Sequence, residues 1–175
     1  GGSHLELGDH MLSREYFPAS PLAMTEELRT AMIRYYDFMT AYQNLLRGTS
    51  TQSEFQSGLA CADASKKVSV AAWPPKRGNV TTYARKVGNA DVIHLLNFRN
   101  IDNLSWRDLN GTRTAPRLTL DLPLTVDYLT KVNRIWTASP DYHGGAVVEL
   151  PFTQTDGKVT FTLPSLKYWA MIVIE

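Results

Sequence analysis

Between Leu28 and Leu46 the apolar residues Leu28, Met32, Tyr35, Met39, Tyr42 and Leu46 recur at steps of four, three, four, three and four. That spacing lays one stripe along a helix, and Ala31, Phe38 and Leu45 widen it. Thr25 is a suitable N-cap, Glu26 and Glu27 sit where the helix dipole favours anions, and Arg47-Gly48 supplies a C-terminal signal. The pattern predicts one helix over 25–47, roughly 34 Å long at 1.5 Å per residue. A stripe this broad and aromatic needs a large apolar partner surface.

From residue 66 onward the period changes to two. Val68, Val70 and Ala72 share one face, and Thr81, Tyr83 and Arg85 oppose Val80, Thr82 and Ala84. Ala90 to Phe98 is almost continuously apolar, as in a strand buried on both faces. Further strands are expected at Val126 to Leu129, Lys131 to Ala138, Ala146 to Phe152, Lys158 to Leu163 and Tyr168 to Ile174. Turn residues punctuate them: Pro74-Pro75, Gly78-Asn79, Gly88-Asn89, Gly144-Gly145 and, most clearly, Asp156-Gly157. The sequence therefore predicts a mainly β fold: an antiparallel Greek-key β-sandwich preceded by one long α-helix.

A sandwich closes its own core, so the helix and the irregular residues 1–24, with Pro18 and Pro21, do not belong to it. The expected division is a first unit over 1–50, a linker over 51–65 and the β-domain over 66–175. The helix reads as the end of a different domain whose main body lies elsewhere.

The chain is 43% hydrophobic and 20% charged, which suits a packed core. With 18 basic and 17 acidic residues the net charge is +1, and no basic stripe points to nucleic acid. No run of apolar residues is long enough for a membrane span. A single cysteine, Cys61, excludes an internal disulfide and reads as a small buried hydrophobe. Gly1 and Gly2 are compatible with a tag remnant.

The densest polar cluster is His4-Leu5-Glu6-Leu7-Gly8-Asp9-His10. On a strand His4 and Glu6 point the same way, as inward groups at the top of a barrel strand do. They could hydrogen-bond a sugar, or they could simply end a surface strand. No further ligand cluster supports a metal there, and no metal or cofactor is expected. Trp136 and Trp169 lie in apolar strands and read as core. Trp106, in Asn103 to Asp108, and Tyr142-His143, on a turn, are more open. No nucleophile elbow, phosphate loop or dinucleotide fingerprint occurs. Glu6 and Asp9 on one short segment do not make the facing carboxylate pair, about 5–10 Å apart, that glycosidases use.

His4 to Pro18 (HLELGDHMLSREYFP) and the helix ending YYDFMTAYQNLLRG resemble glycoside hydrolase family 66, the dextranases and cycloisomaltooligosaccharide glucanotransferases. VIHLLNFRN, VNRIWTASPD and YWAMIVIE resemble that family's carboxy-terminal β-domain. The resemblance implies a retaining enzyme acting on α-1,6-linked glucan, secreted or periplasmic in bacteria, with a (β/α)8 barrel before the sandwich. It would make residues 1–50 the end of the last barrel strand, its loop and the last barrel helix. A barrel needs about 250 residues, so the nucleophile and acid/base have no counterpart here. The implied role is a non-catalytic fragment whose partner is the missing barrel, with His4, Glu6 and Asp9 as substrate contacts. A carbohydrate-binding sandwich module and a helix-mediated interaction protein are the alternatives.

Overall fold

The computed structural model describes residues 25–47, 51–52, 59–61, 68–105 and 112–175. The chain divides into two compact units, Gly1–Gly48 and Thr49–Glu175.

In the first unit the expected single helix is two segments, α1 (Glu26–Ala41) and α2 (Gln43–Arg47). Thr25 caps α1 as its sequence suggests: its hydroxyl accepts from the Leu28 amide at 3.2 Å. Arg29 pairs with Glu26 at 2.7 Å within the first turn. The break falls at Tyr42, where φ is −108° and ψ is 18°. Hydrogen bonding runs through it, since the Tyr42 amide donates to Phe38 at 3.1 Å and the Leu46 amide to Tyr42 at 3.0 Å. The Leu45 amide also donates to Tyr42, at 2.9 Å, so the turn is locally tightened. The stripe residues are the shielded ones, but only Phe38 is fully buried; Leu28, Met32, Tyr35, Met39, Tyr42 and Leu46 are partly exposed.

The second unit is a two-sheet sandwich. Its strands are β1 (Thr51–Gln52), β2 (Leu59–Cys61), β3 (Ser69–Ala72), β4 (Asn79–Val87), β5 (Ala90–Asn97), β6 (Thr119–Asp127), β7 (Ile135–Ala138), β8 (Val148–Glu149), β9 (Phe152–Thr155), β10 (Lys158–Leu166) and β11 (Trp169–Ile174). One sheet has the order β1-β4-β5-β11-β7-β8, with β3 also on β4; the other runs β2-β6-β10-β9. All named pairs are antiparallel except β3 with β4, which departs from the antiparallel expectation. The link Trp73–Gly78, containing the cis Trp73-Pro74 bond, suffices because β3 has only 4 residues. Returning its length takes about 13 Å at 3.3 Å per residue.

Ile93 and Leu95 of β5, Val80 and Ala84 of β4 and Ile172 of β11 meet Leu122, Leu124 and Val126 of β6 and Val159, Phe161 and Leu163 of β10. Each of these side chains except Ala84 contributes about 1.5–3 kcal/mol on burial. The outward faces differ. On the larger sheet Thr81, Val92, Met171 and Val173 are fully shielded and Trp136 nearly so, whereas the smaller sheet exposes Thr153, Thr155 and Thr162.

Three expectations are revised. Residues 51–65, read as a linker, contain β1 and β2, which pair with β4 and β6. The short strand at 126–129 is the end of a 9-residue strand, β6. Pro123 disguised it; β2 pairs only with Leu124 to Val126, so Pro123 faces no ladder on that side. The strand expected over 146–152 is cut at Pro151 into β8 and β9, which join different sheets. Asp156-Gly157 forms the β9–β10 hairpin as expected, with φ 50° and 72° and Lys158 opposite Thr155.

Candidate functional site

Two groups of polar side chains interrupt the apolar run of β5, and both are built into the fold. Asn97, 4% exposed, ends the strand. Its side-chain amide donates to the carbonyls of Lys167 at 2.8 Å, Arg117 at 2.9 Å and, more weakly, Leu166 at 3.4 Å. Its carbonyl oxygen accepts from the Arg99 amide at 3.1 Å. One residue thus ties β5 to the β10–β11 turn and to the segment entering β6. Asp141 clamps the same turn from the other side, accepting from the amides of Tyr168 at 3.2 Å and Trp169 at 3.3 Å. The Asn97 amide donates to the Tyr168 carbonyl at 2.9 Å. Tyr168 therefore has a fixed backbone while its ring, 40% exposed, reaches solvent with the Lys167 ammonium 5.3 Å from its centroid.

Beside Tyr168 lies a cleft of about 360 Å3, walled by Phe98, Ile101, Leu104 and Pro116 and carrying Asp102, Asn103, Arg113 and Thr114. Its rim is held by the Arg77 guanidinium donating to the Ile101 carbonyl at 3.3 Å, by the Ser105 amide donating to Asn103 at 2.9 Å, and by Arg113 donating to the Ser105 carbonyl.

The second group crosses the outward face of the larger sheet. The Trp169 indole N–H donates to His94 Nδ1 at 3.1 Å, and His94 stacks on Tyr83 with centroids 6.5 Å apart. Arg85 donates to the Tyr83 hydroxyl at 2.7 Å. Burial, and secondarily the Arg85 charge, push His94 down to about 4. It is therefore a neutral imidazole whose Nδ1 accepts, rather than a proton carrier near neutrality. Trp136 and Trp169 were expected in the core. Trp136 is buried as expected, 6% exposed, and Trp169 is partly exposed. On β7 and β11 they alternate with Ile135, Ala170 and Ile172, so both lie on the outward face of the larger sheet and outside the inter-sheet cluster.

The carboxylates with resolved contacts serve the fold. Asp91, buried on β5, accepts from the Tyr128 hydroxyl at 3.0 Å, with Lys86 Nζ at 3.8 Å. Burial first and Asp91 second raise the Tyr128 hydroxyl far above its usual value. Asp127 pairs with Lys158 at 2.9 Å, and Arg134 bridges Glu149 and Glu175. Among the described residues no cluster of His, Cys, Asp or Glu could hold a metal, and no helix is long and apolar enough to cross a membrane.

The sequence candidates His4, Glu6 and Asp9 lie outside the described residues, as does Trp106. Tyr142 precedes a short turn, His143–Gly145, and His143 begins it, as expected for a loop. Asn97, Asp141 and Tyr168 were not singled out by sequence reasoning. The available signal was the polar Asn97 at the end of an otherwise apolar strand.

The profile of glycosyl hydrolase family 66 matches residues 1–173. Two cycloisomaltooligosaccharide glucanotransferases of Niallia circulans are 32% and 35% identical over 186 and 189 residues. A dextranase of Streptococcus salivarius is 22% identical over 199 residues. Each alignment takes in 100% of this chain but only 18%, 18% and 24% of the relative, so the chain spans about a fifth of their length. The crystal structure of a Paenibacillus sp. cycloisomaltooligosaccharide glucanotransferase complexed with cycloisomaltoheptaose is similar, with a TM-score of 0.77 at 26% identity. That match covers 94% of this chain and 23% of the other.

Proposed function

Because the chain belongs to glycosyl hydrolase family 66, we propose that it is the non-catalytic carboxy-terminal part of a larger enzyme acting on α-1,6-linked glucan, its β-sandwich supporting a catalytic barrel. The observation that carries this reading is the span of the alignments, only 18–24% of the relatives' length, and the engagement of five sandwich carboxylates agrees with it. Asp91, Asp141, Asp127, Glu149 and Glu175 are tied to a hydroxyl, backbone amides or cations of the sandwich itself. Glycoside cleavage needs two carboxyl groups aimed across a sugar ring, one of them free to exchange its proton. The half-exposed stripe of α1 supports the second part, since a face carrying Met32, Tyr35 and Met39 suits burial against further protein. His4, Glu6 and Asp9 are the residues of the first unit proposed to reach substrate bound by the barrel.

The test is the release of reducing ends from dextran by the purified chain. No release is expected over long incubation. Cleavage that disappears in Glu6→Gln would overturn the proposal. A second reading, a carbohydrate-binding module, draws on the cleft beside Tyr168, where an aromatic ring and several polar groups converge.

A further inference from the structure

We propose that the cleft beside Tyr168 is a binding site for one or two units of a neutral glucan chain, with the Tyr168 ring as platform and Asn103, Thr114 and Asp102 as hydroxyl partners. The site would anchor polymer on the β-domain, apart from any place where bonds are broken. It rests on the reading of the chain as part of a glucan-active enzyme.

The chemistry of the walls selects the ligand class. The cleft, at about 360 Å3, falls at the lower end of the roughly 300–1,000 Å3 range of small-molecule sites. Its lining mixes apolar groups, Phe98, Leu104 and Pro116, with polar ones, Asp102, Asn103 and Thr114. This combination suits a pyranose, which presents C–H groups on its faces and hydroxyls around its edge. The charges do not single out an anion: Asp102 and Arg113 both line the cleft, the Arg113 guanidinium already donates to the Ser105 carbonyl, and the Lys167 ammonium lies over the Tyr168 ring at 5.3 Å. The platform is also preorganised. Asp141 and Asn97 fix the Tyr168 backbone from both sides, so little freedom is lost on binding. A tyrosine with a bound backbone and an exposed ring pairs an apolar surface with a polar tip.

Trp73 provides an internal control. It is 54% exposed, more than Tyr168, but does not line the cleft. If any exposed aromatic sufficed, Trp73 would serve as well.

The test is a titration of the 15N-labelled chain with isomaltotriose up to tens of millimolar, followed by amide chemical shifts. The expected result is millimolar binding, with shifts gathered on Asn103, Leu104, Arg113, Thr114 and Tyr168. Tyr168→Ala should weaken it at least tenfold and Trp73→Ala should leave it within twofold. The clamp holds Tyr168 only by its backbone N–H and carbonyl, so the alanine variant keeps it. Absence of shifts, shifts gathered elsewhere, or equal binding by Tyr168→Ala would overturn the proposal. So would displacement of the sugar by millimolar inorganic phosphate. Dextran cleavage by the chain would strike the non-catalytic reading instead, so the two can fail separately.

Discussion

Acidification should destabilise the sandwich through His94, and the size of the effect follows from its surroundings. His94 Nδ1 accepts the Trp169 indole N–H at 3.1 Å, so a proton there would abolish that bond. The ring lies against Tyr83, and Arg85 adds a repelling charge. The folded-state value near 4 stands below the ordinary 6.5. Between these two pH values the unfolded chain binds a proton that the folded chain refuses, so folding stability rises with pH across the window. The stabilisation is complete above pH 6.5 and is lost as pH falls toward 4. The full gap corresponds to about 3 kcal/mol at 1.36 kcal/mol per pH unit, an upper bound because the ring keeps some contact with solvent. Urea unfolding of the chain and of His94→Leu at pH 8 and pH 4.5 isolates the contribution. At pH 8 the variant should be less stable by about 1 kcal/mol, the worth of one hydrogen bond. At pH 4.5 that deficit should shrink or reverse by about 2–3 kcal/mol. Equal pH dependence in the two proteins, or a folded-state His94 titration near 6.5 by NMR, would refute the reasoning.

Two further substitutions probe the fold. Tyr128→Phe removes the hydroxyl that donates to the buried Asp91 carboxylate at 3.0 Å and should lower unfolding stability by about 1.5–3 kcal/mol, read by denaturant midpoint. A change below about 0.5 kcal/mol would mean the bond is immaterial. Gly157→Ala places a Cβ 2.8 Å from Leu129 Cδ2 at a φ of 72°. The left-handed backbone alone should cost about 1–2 kcal/mol. Because Leu129 is 92% exposed and can swing away, adding Leu129→Ala should recover only a small part of the loss. Full recovery in the double variant would show that the clash, not the backbone, is limiting.

The sandwich was legible wherever alternation met a strong turn. β4 and β10 follow from period-two patterns and β5 from its continuous apolar run, bounded by Gly88 and by Asp156-Gly157. The start of β6 was hidden because Pro123 argues against a strand, and only the pairing shows that β2 stops short of it. β1 and β2 are 2 and 3 residues long, too short to show any period. The sequence did not show which face Trp136 and Trp169 take, because their strands are apolar on both faces; Trp136 is buried as expected and Trp169 only partly. The cleft was illegible for another reason. Its parts come from the end of β5, the loop after it and the β10–β11 turn, segments brought together only by the tertiary fold. The helix stripe, in contrast, follows from local spacing, and its shielded residues are those named from the sequence.

β5 runs through a sheet that is dry above and below, with Val92, Ile93 and Leu95 all inaccessible. Sliding such a strand by one position trades oil for oil, so greasiness alone gives the chain no means of telling the right alignment from its neighbour. The three polar letters act as locating pins: Asp91 must find Tyr128, His94 must find Trp169, and Asn97 must find the loop carbonyls. A slipped strand would part all three from their partners at once, two of them, Asp91 and Asn97, in a buried layer, which makes the misaligned forms far costlier than any single lost contact suggests.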